Sequence, residues 1–210
     1  MPYFVNTYRT PKPGQFTAVV NGVAESLKST GRGGFVSIPI SPRMPGVQSM
    51  SVVGTVSGFE TLDDVDAFFD GLMENDMAGF AARDELGALC ERFNLSVSSI
   101  LTPPLDLPDN FDGKIISRTQ VLAKPGKAAE LIELLLEWIG ELDFRGAGIL
   151  SVMLGGQAGL VRYSQIVESL QANADVNAQI VASPRMQKLV ELTSGPGLRG
   201  VSRITHFNQP

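Results

Sequence analysis

Three short patterns recur in the same order along this 210-residue chain. Lys12-Pro13-Gly14 returns as Lys124-Pro125-Gly126, 112 positions on. Asp64-Val65-Asp66-Ala67 returns as Asp175-Val176-Asn177-Ala178, 111 on, and Val97-Ser98-Ser99-Ile100 returns as Val201-Ser202-Arg203-Ile204, 104 on. One match could be chance. Three in register, with a slowly drifting offset, mark an internal duplication. Ser41-Pro42-Arg43-Met44 and Ser183-Pro184-Arg185-Met186 lie 142 apart, break that register and read as coincidence. Duplication constrains the fold strongly, because each half must build the same unit. The seam falls in 103–113, where three prolines and three aspartates make a stiff polar linker. The expected organisation is a first repeat over 1–102, a linker over 103–113 and a second repeat over 114–210.

Each half reads strand, helix, strand, strand, helix, strand. In the second half, Lys114 to Val121 is rich in Ile, Ser, Thr and Val, as strands are. Ala128 to Leu142 carries Leu131, Leu135, Trp138 and Leu142 at helical spacing, with Glu133, Glu137 and Glu141 outside. Ile149 to Leu154 and Leu160 to Val167 are strands joined by a glycine-rich hairpin turn. A helical stretch from about Asn173 follows, then a helix opened by Ser183-Pro184 with Met186, Leu189 and Val190 on its buried side. Val201 to Phe207 closes the half. In the first half the strands are Phe4–Arg9, Phe35–Ile38, Met50–Val56 and Val97–Leu101. A helix over Gln15–Lys28 buries Phe16, Val19, Val20, Val23 and Leu27. Thr61 caps the next helix with Asp64 at the capping-box position, and a further helix is expected from Ala78 to Arg92.

The β-α-β-β-α-β order is the ferredoxin-like plan, with two helices on one face of a four-stranded antiparallel sheet. The strands nevertheless carry apolar residues on both faces: Ile115 stands beside Ile116, and Tyr163 is followed by Ile166. A sheet that is apolar on both sides must cover the second side as well. Two such halves do so by packing sheet to sheet. The fold class is therefore α+β: two tandem ferredoxin-like repeats whose antiparallel sheets pack face to face.

The stretch Tyr163-Ser-Gln-Ile-Val-Glu-Ser-Leu170, with Asp175-Val-Asn-Ala-Gln-Ile-Val-Ala-Ser-Pro-Arg-Met-Gln-Lys-Leu189, resembles the dimeric α+β barrel superfamily. That group includes the antibiotic-biosynthesis-type monooxygenases, the stress-responsive barrel proteins and the NIPSNAP family. The resemblance covers both halves and implies a tandem pseudo-dimer that pairs again into a homodimer. Some relatives oxidise aromatic compounds with O₂ and no cofactor; others bind haem. No catalytic motif of the group carries over residue by residue, and a fold alone does not give function.

Composition narrows the field. Seventeen basic against 22 acidic residues give a net charge of −5, so no basic surface invites nucleic acid or anionic membranes. No run approaches the length of a membrane span, and no leader-like segment opens the chain; a cytoplasmic location is expected by default. One cysteine, Cys90, and one histidine, His206, exclude an intrachain disulfide and every multi-histidine metal site. Neither a metal nor a cofactor is called for. Gly195 to Gly200 matches G-x-G-x-x-G as text, but a helix precedes it and a strand follows, the reverse of a dinucleotide loop. Asp63, Asp64, Asp66 and Asp70 fit a helix N-terminus better than a calcium loop, since Phe68 and Phe69 stand where a ligand and a glycine belong. Trp138 and Cys90 read as core, Cys90 in a helical context.

Polar residues inside strands are the more informative set. Arg118, Arg162, Tyr163 and Arg203, with His206 near the end of the last strand, are the candidate ligand-binding residues. A long charged side chain on a sheet sits at a rim or is buried with a partner; if several converge, they suit an anionic or phenolic ligand. The second half holds more of them and is the expected site of any pocket. Three readings remain open: a barrel protein that binds a small organic molecule and has no assignable activity; a cofactor-independent monooxygenase acting on an aromatic or polyketide-like compound through Tyr163, an arginine and His206; and a haem-binding protein with His206 as axial ligand.

Overall fold

A computed structural model of the chain describes residues 2–41, 51–102, 110–142 and 146–209. The first half contains β1 (Tyr3–Pro11), α1 (Phe16–Ser29), β2 (Gly34–Pro39), β3 (Val52–Phe59), α2 (Leu62–Ala88) and β4 (Cys90–Ile100). The second contains β5 (Ile115–Leu122), α3 (Ala128–Glu141), β6 (Gly146–Met153), β7 (Leu160–Val167), α4 (Leu170–Ala182), α5 (Arg185–Leu192) and β8 (Leu198–Asn208). The first half's strands lie in the order β4-β1-β3-β2 and the second half's in the same order, β8-β5-β7-β6. Pairing of β2 with β8 and of β4 with β6 joins the two sheets into one closed antiparallel barrel. The face-to-face packing expected from the sequence is thus achieved with the sheets also bonded edge to edge, which leaves no unpaired edge to template aggregation.

The repeated Lys-Pro-Gly shows why the duplication left a trace there. Gly14 and Gly126 sit at φ 79° and 76°, in the left-handed region. A side chain is disfavoured at both places, so the turn from first strand to first helix needs its glycine in each half. Capping is also as read: the Asp64 N–H donates to Thr61 Oγ1 at 3.1 Å, and the Thr61 N–H donates to Asp64 Oδ2 at 2.9 Å.

Some boundaries differ. The two helices expected between Thr61 and Arg92 are one, α2, because no proline interrupts the segment. That helix ends at Ala88 with Leu89 as its C-cap, and Cys90 opens β4; the cysteine is buried as expected, but at the start of a strand. In the second half Pro184 does interrupt, dividing the equivalent region into α4 and α5. Val190 on α5 is 63% exposed and does not join the buried side assigned to it, whereas Met186 and Leu189 pack against the core. Most of the presumed linker, 103–109, lies outside the described residues. Its end is not merely polar: Phe111 is buried, with its ring 5.0 Å from that of Phe207 in an edge-on contact.

Strand alternation sends each side chain into one of two cores. On β7, Val161, Tyr163, Gln165 and Val167 face the helices, while Arg162, Ser164 and Ile166 face the barrel lumen. Under α1, Val19, Val23, Leu27, Val36 and Val52 form the first half's helix-side core. Under α3 and α5, Leu131, Leu150 and Val161 form the second's. A third cluster, built on Phe111, Ile116, Ile166 and Ile204, fills one part of the lumen. Fully burying one such aliphatic side chain contributes about 1.5–3 kcal/mol.

Candidate functional site

Two cavities lie on opposite faces of the second half's sheet. The outer one, about 270 Å³, sits between sheet and helices. Its floor is Thr119 and Val121 of β5, Tyr163 of β7 and Arg199 of β8. Leu135 and Trp138 of α3, Ile180 of α4 and Met186 of α5 roof it. Trp138 is core, as its place on the apolar stripe of α3 predicts, and is also a cavity wall. The roof is clasped from outside: Arg185 of α5 donates to Glu137 Oε2 at 3.0 Å and to Glu141 Oε2 at 2.9 Å, both on α3. These groups are solvated, so the clasp orients α5 more than it stabilises the fold.

Tyr163 is the polar focus of this cavity. It is 8% exposed, and its hydroxyl has no hydrogen-bond partner among the described residues. Burial pushes the phenol well above its ordinary value, with the charge of Arg199 acting in the opposite direction, so it stays protonated and remains a donor at neutral pH. Arg199 is held by a buried polar network. Its Nη2 donates to Ser117 Oγ and to Asn173 Oδ1, both at 3.2 Å, and Asn173 Oδ1 also accepts from Gln165 Nε2 at 2.9 Å. Desolvation lowers the Arg199 value, and the facing Tyr163 opposes the shift. The arrangement offers a phenolic donor and a cation at the polar end of an apolar slot, suited to an oxygen acceptor on a ring-bearing molecule.

The inner cavity, about 330 Å³, lies in the barrel lumen. Arg118 and Arg162 both line it, together with Asn6, Thr55 and Ser164. Arg162 and Tyr163, grouped in the sequence reading, are thus separated by the sheet, because adjacent residues of a strand point to opposite faces. Arg203 is exposed and lines neither cavity. His206 also lines neither, and its Nδ1 lies 3.1 Å from Thr205 Oγ1. The five candidates are therefore not one site: two go to the lumen, one to the outer cavity and two elsewhere.

Haem does not fit these residues. The chain's one histidine is outside both cavities. Among the described residues no cluster of three His, Cys, Asp or Glu side chains could hold a metal ion. Nor is any helix among them long and apolar enough to cross a membrane.

Arg199 and Asn173 were missed in the sequence. Arg199 lies in the run from Gly195 to Gly200, ahead of the strand expected from Val201. β8 begins at Leu198, three residues before the expected strand start, and this brings Arg199 into the period-two pattern.

No protein-family model matches the chain, and no curated protein matches its sequence. Solved structures do. A candidate monooxygenase from Fusobacterium nucleatum subsp. nucleatum superposes with a TM-score of 0.75 at 10% identity, over 99% of this chain and 94% of that one. An anthrone oxidase-like protein gives 0.64 at 12% identity, over 99% and 92%. A mutant chlorite dismutase from Candidatus Nitrospira defluvii, in complex with cyanide, gives 0.57 at 12%, over 97% and 91%. At these identities the likeness establishes the fold: an α+β barrel of two ferredoxin-like halves, shared along almost the whole chain.

Proposed function

We propose that this protein binds a small ring-bearing molecule in the outer cavity of its second half, with a carbonyl or hydroxyl oxygen of the ligand directed at Tyr163 and Arg199. One observation carries the reading: a buried phenol without a partner stands at the wall of an apolar slot. A buried donor left unpaired costs about 1–3 kcal/mol, and a ligand acceptor recovers that cost. Trp138, the chain's one tryptophan, supplies an aromatic face for stacking and a built-in reporter. 1-Naphthol or anthrone should quench Trp138 emission saturably, and Tyr163→Phe should weaken binding about five- to twentyfold. Quenching without saturation, or unchanged affinity in Tyr163→Phe, would refute the reading.

The structural likeness to a candidate monooxygenase and an anthrone oxidase-like protein favours a second reading, oxygenation of the bound molecule. The balanced step inserts one oxygen atom of O₂ into a ring methylene: the CH₂ becomes C=O, both its hydrogens leave, and the second oxygen atom departs as water. Arg199 would stabilise the enolate-like anion formed on loss of the first proton. An oxygen electrode tests this directly. Uptake of one O₂ per anthrone, faster than in buffer and abolished in Arg199→Met, supports it; uptake at the buffer rate leaves binding alone. The homodimer expected from the sequence is part of the same proposal. With the barrel closed within one chain, a second copy would pack through the helical layers, and gel filtration over a concentration series tests it. Kinship with the NIPSNAP proteins carries no weight in either reading.

A further inference from the structure

We propose that the barrel lumen is a second and separate binding site, selective for an organic carboxylate with an apolar body. Arg118 and Arg162 stand on neighbouring strands and one face. Arg118 is opposite Ser164, and Arg162 is opposite Gln120, so the two arginines are diagonal neighbours. Across an antiparallel pair that spacing lets long side chains meet on a shared partner. Both are buried, at 6% and 3% exposure. Guanidinium groups keep their charge in proteins, so the lumen holds two positive charges.

Arg162 makes no ion pair among the described residues. Among the described residues no Asp or Glu side chain is buried. Arg118 Nη2 donates to a neutral oxygen, Ser37 Oγ, at 3.1 Å. Arg162 lies over the Tyr8 ring at 5.9 Å and its Nη2 reaches Met153 Sδ at 3.4 Å, but its buried Nε and Nη1 have no hydrogen-bond partner among the described residues. An uncompensated buried charge is among the costliest features a fold can keep. A guanidinium with two open N–H groups matches the two oxygens of a carboxylate.

The rest of the cavity selects the body of that anion. Phe4, Phe35, Phe111, Ile149, Ile166 and Phe207 line its apolar part. Asn208 and the exposed Gln209 mark the mouth at one barrel end. The 330 Å³ volume suits a monocarboxylic acid of roughly eight to twelve carbons, too apolar for an inorganic anion to fill. The two cavities are independent, because the sheet lies between them and no residue lines both.

Isothermal titration with octanoate tests this on the whole protein. Expected are one saturable site per chain, at least tenfold weaker binding of octan-1-ol (which has the same chain without the charge), at least tenfold weaker octanoate binding to Arg162→Met, and no change in Trp138 emission as octanoate binds. Arg162→Lys should recover part of the loss. Equal affinity for acid and alcohol overturns the proposal, as does undiminished octanoate binding to a folded Arg162→Met. Trp138 emission that follows the octanoate isotherm would place the acid in the outer cavity and also overturn it. Should Arg162→Met not fold, the acid–alcohol comparison on the unaltered protein decides. Failure of these tests leaves the Tyr163 reading intact, since that reading is tested by naphthol and Tyr163→Phe.

Discussion

Gly54 and Tyr163 occupy equivalent places in the two halves. The shared Lys-Pro-Gly turn aligns Thr7 with Thr119, and the ladders put Gly54 opposite the first and Tyr163 opposite the second. The helix above differs accordingly. A methyl group at Gly54 would meet Val23 Cγ1 at 2.7 Å and Thr7 Oγ1 at 2.9 Å, so α1 rests directly on the sheet. At Tyr163 the equivalent helix, α3, has Leu135 in the place of Val23, and a cavity lies between them. The next residue repeats the contrast toward the lumen, where Val53 corresponds to Arg162 and Asn6 to Arg118. At these matched positions the first half is filled and neutral, and the second keeps both space and charge. A duplicated fold can retain one copy as scaffold and the other as site.

The most severe way to break this comparison is to crowd the closed half. Gly54→Val should cost about 1–3 kcal/mol, the usual range for overpacking, read as a lower urea midpoint at unchanged slope. A neutral result would mean that α1 can lift and that the halves are not differently packed. Arg162→Met acts in the opposite direction: removing an unpaired buried charge should stabilise the ligand-free protein by about 1–2 kcal/mol. Loss of stability would show that Arg162 is paid for within the protein. Tyr163→Phe should be neutral or stabilising by up to about 1 kcal/mol without ligand, measured as a small rise in Tm.

The smallest effect sharpens the comparison at the second helix of each half. Thr61 and Ser169 both cap with a hydroxyl, but only Thr61 has a carboxylate at the third helical position, Asp64; Ala172 stands at the matching place. Hydrogen bonds from the Thr61 N–H and hydroxyl and from the Glu60 N–H hold Asp64 below the ordinary carboxylate value. A depressed value stabilises the fold above pH about 4, the unfolded value, and that contribution fades as pH falls through the lower folded value. Thr61→Ala should therefore lower Tm at pH 7 and progressively less below pH 4. The effect of Ser169→Ala should not change over that range. Parallel profiles would remove the carboxylate from the cap.

The order of elements, the capping box and the inward stripe of α1 were legible because each rests on a local or periodic rule; the barrel was implied by the family resemblance. Arg162 and Tyr163 show where that legibility stops. Alternation says that neighbours part company, yet it cannot say which face becomes lumen and which lies under a helix. His206 was attractive as the chain's one histidine, but its position was decided by β8 pairing with β2, where a register shift lies between Val36 and Ser37. Phe111 was hidden in a segment whose prolines and aspartates spoke for solvent.

Duplication and periodicity are one-dimensional properties, so the chain alone determined two like modules, each with an apolar sheet face needing cover. Which residues share an enclosed space is a property of pairing between strands far apart in sequence. Closing β2 on β8 and β4 on β6 gathered the guanidinium of Arg162 with Arg118 inside the lumen and left Tyr163 with Arg199 outside it. Only the tertiary structure could decide that, because the free energy of a buried charge or phenol depends on what surrounds it in space, not on its neighbours in the chain.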